Sequence, residues 1–168
     1  MDKTLVLSSP ATLMIATEGG DYVPVGFTRG GVSITPGRET RNIDADQSKF
    51  PLWVQTTARS ITINFRLLEV NKQNFMLGWG EPGQTWDGTN ELSLGAEEDT
   101  PPVYKIKLYG TRMDGKYVIF EFFSCIPTGT GAFTMTKGDE GIIEATFTAT
   151  YDEDEGCVGT VSIAATTG

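Results

Sequence analysis

The sequence contains no histidine. That absence removes the commonest general base, the usual member of a nucleophilic triad and the commonest metal ligand. Cysteine is nearly absent as well. Cys125 and Cys157 stand far apart without a CxxC spacing, which makes a poor zinc site. They read as two reduced, half-buried strand residues rather than as a disulfide. Positive charge is scarce: 13 Lys and Arg stand against 22 Asp and Glu, for a net charge of −9. Such a chain has little bulk affinity for nucleic acid, because that affinity comes from Lys and Arg neutralising phosphates. Nor does it suit an anionic membrane surface. No run approaches the ~20 apolar residues of a membrane span, so no membrane anchoring is expected. The opening Met1-Asp2-Lys3-Thr4-Leu5 stretch is broken by Ser8, Ser9 and Pro10 and does not read as a secretory signal. The chain has no Asn-x-Ser/Thr sequon. The expected place of synthesis and assembly is a cytoplasm.

Motifs for chemistry are missing too. There is no GxxxxGK[ST] and no GxSxG. Asp152-Glu153-Asp154-Glu155-Gly156 and Asp44-Ala45-Asp46-Gln47-Ser48 begin like calcium loops. Both lack the bidentate Glu at the twelfth position, where Ile163 and Gln55 stand. Solvated acidic turns are the better reading. No enzyme activity, metal or cofactor is expected.

What the chain does have is alternation. Ile61, Ile63, Phe65 and Leu67 point one way, while Ser60, Thr62, Asn64 and Arg66 point the other. Tyr104, Ile106 and Leu108 alternate with Lys105 and Lys107. Ile143, Ala145, Phe147 and Ala149 alternate with Glu144, Thr146, Thr148 and Thr150. Each pattern predicts a strand with one face on a core. Asp114-Gly115 predicts a hairpin with left-handed turn residues between Val103–Met113 and Tyr117–Ile126. A second hairpin is predicted across Gly138-Asp139-Glu140-Gly141. Further strands are expected near Leu5, over 11–15, over 32–35 and from Val158 to Ala164. One short helix is expected from Asn71 to about Trp79, with Asn71 as N-cap and Gly78 or Gly80 as stop. The fold class is therefore mainly β: two packed antiparallel sheets, sandwich- or barrel-like, with one helix, in one domain spanning 1–168.

Two stretches lack regular pattern and are predicted to be long loops, about 36–55 and 81–102. Loops of that length in a compact domain are usually functional or ordered by a partner. The first combines Arg38, Glu39, Arg41, Asp44 and Asp46 with Pro51, Leu52 and Trp53. These are candidates for contacts between subunits or between rings, since exposed apolar clusters and Trp mark interfaces.

The motif order resembles the tail tube protein family of long-tailed bacteriophages over roughly residues 29–165. The pieces are the Gly30-Gly31-Val32-Ser33-Ile34 strand with its polar excursion through Asp44, then Thr56 to Glu69 running into the helix. Leu92-Ser93-Leu94-Gly95, the strands around Asp114-Gly115, and Phe133 to Asp152 with its Lys137-Gly138-Asp139 turn follow. The resemblance implies homo-hexameric rings stacked into a hollow tail tube of a virion, through which DNA passes without specific binding. It implies other tail proteins as partners, such as tape measure, terminator and baseplate components. Gene transfer agents and secretion-system tubes are related assemblies. Within that picture Ser60, Thr62, Asn64, Arg66, Glu144, Thr146, Thr148 and Thr150 are candidates for the lumen face, expected to be polar and net negative, with Arg66 paired to a neighbouring subunit. The rival reading is a monomeric binding module, for example carbohydrate-binding, with Trp53, Trp79 and Trp86 as a platform.

Overall fold

A computed structural model describes residues 12–17, 19–44, 49–50, 52–80, 91–92, 94–95, 100–129, 131–134 and 140–164. The elements, in chain order, are β1 (Thr12–Thr17), β2 (Val23–Pro24), β3 (Thr28–Ile43), β4 (Trp53–Leu67), α1 (Lys72–Trp79), β5 (Tyr104–Thr111), β6 (Tyr117–Pro127), β7 (Phe133–Thr134), β8 (Ile142–Ala149) and β9 (Gly159–Ala164). The fold is mainly β, with antiparallel pairing throughout.

Hydrogen bonding runs continuously in the order β2-β1-β5-β6-β8-β4-β3. Two halves nonetheless face each other, because β6 changes partners along its length. Its first part pairs with β5 and β9, and its last residues, Cys125 to Pro127, pair with β8. One half is thus β2-β1-β5-β6-β9 and the other is β8-β4-β3 with β7. Their inward side chains form one cluster. Leu13, Ile15, Ile106, Leu108 and Phe122 come from the first half, and Ile63, Phe65, Leu67, Ile143 and Phe147 from the second. The Tyr104 ring meets Phe147 edge-on at 5.8 Å, and Phe65 stacks on Phe147 at 5.5 Å, so the aromatic layer ties the halves together. The predicted alternation on β4, β5 and β8 is the alternation of burial that is observed.

The helix starts and stops where the sequence indicates. Asn71 Oδ1 accepts the Asn74 amide at 2.8 Å, and Gly80, with φ of 64°, returns its amide to Met76 O at 2.9 Å. Met76 and Leu77 are buried, while Phe75 packs on Trp79 at 4.7 Å and on Phe133 at 5.0 Å. Trp79 is half-buried at the helix end rather than deep in the core.

Two expectations are corrected. The Asp114-Gly115 hairpin exists, but only Gly115 is left-handed, with φ of 79°. Gly115 N donates to Arg112 O, and Arg112 N donates to Lys116 O. The connection is therefore a longer turn with a single glycine in the left-handed position. More important, residues 36–43 and 53–55 of the first predicted loop are strand, while residues 45–48 and 51 lie outside the described residues. β3 runs to Ile43 and β4 starts at Trp53, and they stay paired to the end with one register shift between Glu39 and Thr40. The reason is that both faces of this stretch meet solvent, so no apolar period marks it, and main-chain pairing holds it. Of the predicted loop at 81–102, residues 81–90, 93 and 96–99 lie outside the described residues, as do the strand near Leu5 and the Lys137-Gly138-Asp139 turn. The described remainder up to Pro102 has no helix or strand.

Candidate functional site

β8 supports β4 only between Ile61 and Leu67. Beyond that point β3 and β4 continue as a two-stranded arm, from Gly37 opposite Ser60 to Ile43 opposite Trp53. At about 3.3 Å per residue, the arm projects roughly 20 Å. Every side chain described from Arg38 to Asp44 and from Leu52 to Ser60 is exposed. An isolated two-stranded ribbon is marginal in water, and its tip carries apolar surface. Trp53 is 67% exposed, Leu52 64% and Phe50 79%, with Val54 and Ile43 beside them. A register shift between Glu39 and Thr40 leaves Thr57 as an extra residue opposite them and bends the ribbon.

The candidate interface residues fall on this arm. Arg38, Glu39 and Arg41 lie on β3, Asp44 follows its last residue, and Leu52 and Trp53 form the return. Asp46 and Pro51 lie outside the described residues. Arg38 stands directly opposite Arg59.

The second candidate surface is the outer face of the β8-β4-β3 half. Pairing brings the two predicted rows together: Thr62 faces Thr148, Asn64 faces Thr146 and Arg66 faces Glu144. Across β3, Thr35 faces Thr62, Ser33 faces Asn64 and Gly37 faces Ser60. Thr128 Oγ1 lies 2.9 Å from Thr148 Oγ1, and Ser124 Oγ lies 2.8 Å from Thr150 Oγ1. A hydroxyl-lined field thus spans β3, β4, β8 and the end of β6. Ser33, Thr35, Thr128 and Ser124 belong to it and were not foreseen, because their strands lack an alternating pattern strong enough to assign their faces.

Arg66 finds its partner inside the chain: Nε donates to Glu144 Oε1 at 2.9 Å. Within the chain, this cross-strand pair supplies Arg66 with a carboxylate. The charges of Arg66 and Glu144 cancel, so the face is polar and locally neutral at this pair. Alongside, Arg29 pairs with Glu140 at 3.1 Å, beside a bulge in which Gly30 and Gly31 take φ of 78° and 80°. Only glycine makes two successive left-handed residues inexpensive.

Elsewhere the charged groups are structural. Tyr22 donates to Glu121 at 2.9 Å, and Lys107 reaches the same carboxylate at 3.2 Å while lying over the Tyr22 ring. Burial, and then that hydrogen bond to a carboxylate, push the Tyr22 hydroxyl well above its ordinary range. Burial opposes the charged form of Lys107, but Glu121 and Tyr109 hold its ammonium above the usual value. Burial alone raises the Cys125 thiol to about 12, and Cys157 is a second free thiol. At Asp152, Oδ1 accepts the amides of Asp154 and Glu155, which closes a turn on its own backbone. Among the described residues, no group of three or more cysteine, aspartate or glutamate side chains is gathered where a metal could sit. No helix among them is long and apolar enough to cross a membrane.

No protein-family model matches the chain, and no curated protein does. Solved structures similar to it include the tail of an empty gene transfer agent particle with C6 symmetry, at 14% identity and a TM-score of 0.49, covering 92% of this chain and 95% of the other. The virion of a native gene transfer agent particle contains another, at 13% identity and a TM-score of 0.47, covering 92% and 96%. A third is the tube-terminating cap of the anti-feeding prophage, at 16% identity and a TM-score of 0.46, covering 91% and 89%.

Proposed function

We propose that this chain is a structural subunit that assembles with copies of itself into hexameric rings, stacked into the hollow tail tube of a long-tailed phage or a related particle, through which DNA is delivered. In this reading it is not an enzyme and needs no cofactor. It joins other tail proteins in a virion assembled in a bacterial cytoplasm. Tape measure, terminator and baseplate components are the partners that the motif order implies.

The β3–β4 arm carries the argument. A 16-residue strand, β3, lies at the end of the sheet path, with no further neighbour there among the described residues. An edge of that length is a template for pairing, and monomeric proteins usually protect such edges. The arm also presents its apolar tip to water, which monomeric proteins avoid. Both features suit pairing with further copies. A contact between two different patches of identical subunits closes into a ring or propagates as a tube, depending on its rotation. The hydroxyl field is the natural lumen face in this arrangement. It contributes no unpaired cation, so it offers phosphates no anchor.

The test is to image the purified protein by negative-stain electron microscopy and to compare a variant in which an Asn-Gly turn replaces residues 38–59 between the partners Gly37 and Ser60. Rings or tubes from the full chain and folded monomers from the variant are expected. Only monomers from the full chain at every concentration tried, or tubes from the armless variant, overturn the reading. For the carbohydrate platform, Trp53 sits at the arm tip and Trp79 packs at a tilt on Phe75 at the end of α1, so these two do not share a surface, and Trp86 lies outside the described residues.

A further inference from the structure

We propose that the groove at the base of the arm is the receptor for the arm tip of a second copy. This inference rests on the assembly reading above and specifies where the arm lands.

The groove forms where the core-facing side of β3 and β4 runs past the opposing half of the fold. Its cavity is about 470 Å³, walled by Pro36, Ile61, Ala149 and Val158. That is within the size range of clefts that bury a ligand, about 300–1,000 Å³. Arg38 and Arg59 stand on its rim, directly opposite each other in register. Like charges at that position destabilise a sheet, and among the described residues neither guanidinium has a carboxylate partner. The site therefore asks for an occupant with an apolar body and a carboxylate, preferably one with an aromatic face for the guanidinium groups to stack on.

The arm tip has that chemistry. Trp53, Leu52 and Ile43 are exposed there beside the Asp44 carboxylate. The tip cannot reach the groove of its own chain, because the paired ribbon holds the two roughly 20 Å apart. The occupant must be another molecule. Tip and groove are different patches, so each filled groove leaves a free tip at one end and a free groove at the other. The contact propagates, and the length of the arm sets a lower limit on the spacing of successive copies.

The experiment is to place the photo-cross-linker benzoyl-phenylalanine at position 53 in the full chain, irradiate the assemblies and map the intermolecular cross-links by mass spectrometry. Links to peptides containing Pro36 to Arg38, Arg59 to Ile61 or Val158 are expected. Links that fall only elsewhere overturn the groove as receptor while leaving the assembly reading intact. Failure of the unmodified chain to assemble overturns both. Charge reversal provides a second measurement. Arg59→Glu is expected to raise the concentration needed for assembly by roughly tenfold or more, as does Asp44→Arg, and combining the two should restore most of the loss. Assembly of Arg59→Glu at the concentration of the unmodified chain overturns the proposal.

Discussion

Ile43 and Trp53 form the last register pair of the β3–β4 ladder, and both are exposed, at 45% and 67%. Neither packs against the core cluster. Replacing both with Ser should therefore change folding stability by no more than about 0.5 kcal/mol, the usual range for surface substitutions. Assembly should fail, because the tip would lose its apolar contact. Thermal melts of the monomer beside sedimentation of the assembled state measure the two effects separately. A large drop in melting temperature would show that the tip packs within its own chain.

The Arg66–Glu144 pair is exposed on both sides, which limits its energetic value. Arg66→Ala should cost less than about 1 kcal/mol. Glu144→Lys is expected to matter for a different reason. It frees Arg66 and adds a second cation, so each subunit offers two phosphate anchors on the hydroxyl field where it had none. Particles carrying this variant should release DNA more slowly at low salt and recover near physiological salt, where screening acts within about 8 Å. Unchanged release at low salt would mean that this face does not line the lumen.

Gly78 lets the helix lie against β8. A Cβ there would come within 2.5 Å of Ile143 Cγ2 and 3.1 Å of Glu144 O. Ile143 is fully buried and Glu144 O is main chain, so neither can move aside cheaply. Gly78→Ala gains up to about 1 kcal/mol of helix propensity, but overpacking costs about 1–3 kcal/mol. A net loss is expected, seen as a melting temperature lower by several degrees. A stabilised variant would show that α1 can shift away from the sheet.

How far the sequence is legible depends on whether a strand has one wet and one dry face. β4 from Ile61, β5 and β8 do, so their alternation identified both the core residues and the polar rows. The outer half of β4 and the arm portion of β3 have two wet faces, and Arg38-Glu39-Thr40-Arg41 shows no period from which a strand could be read. The hydroxyl rows of β4 and β8 were visible separately. That they are neighbours follows only from the Thr62–Thr148 and Asn64–Thr146 register, a long-range fact. The same holds for the change of partners along β6. Its run from Val118 to Phe123 is apolar at every position but Glu121 and so shows no alternation, and nothing local marks Cys125 as the place where it passes to the other half.

Cys125 and Tyr104 sit opposite each other across β5 and β6, both fully buried, and they make the fold sensitive to alkali. Burial raises the Cys125 thiol from 9.0 to about 12 and the Tyr104 hydroxyl from 10.0 to about 12. In the unfolded chain both groups ionise at their ordinary values, so above pH 9 the unfolded state sheds protons that the folded state keeps. Stability is therefore complete below pH 9 and falls as pH rises toward 12, by up to about 1.4 kcal/mol per pH unit for each group titrating. Urea midpoints should be flat from pH 7 to 8.5 and decline above 9. In Cys125→Ala the decline should begin about one unit higher, where Tyr104 takes over, and adding Tyr104→Phe should flatten it further, leaving the contributions of Tyr22 and Lys107. Thiol reagents at pH 8 should modify Cys157 and spare Cys125. A midpoint that stays level to pH 11 in the unmodified chain, or rapid labelling of both thiols, would show that water reaches the layer between the two halves.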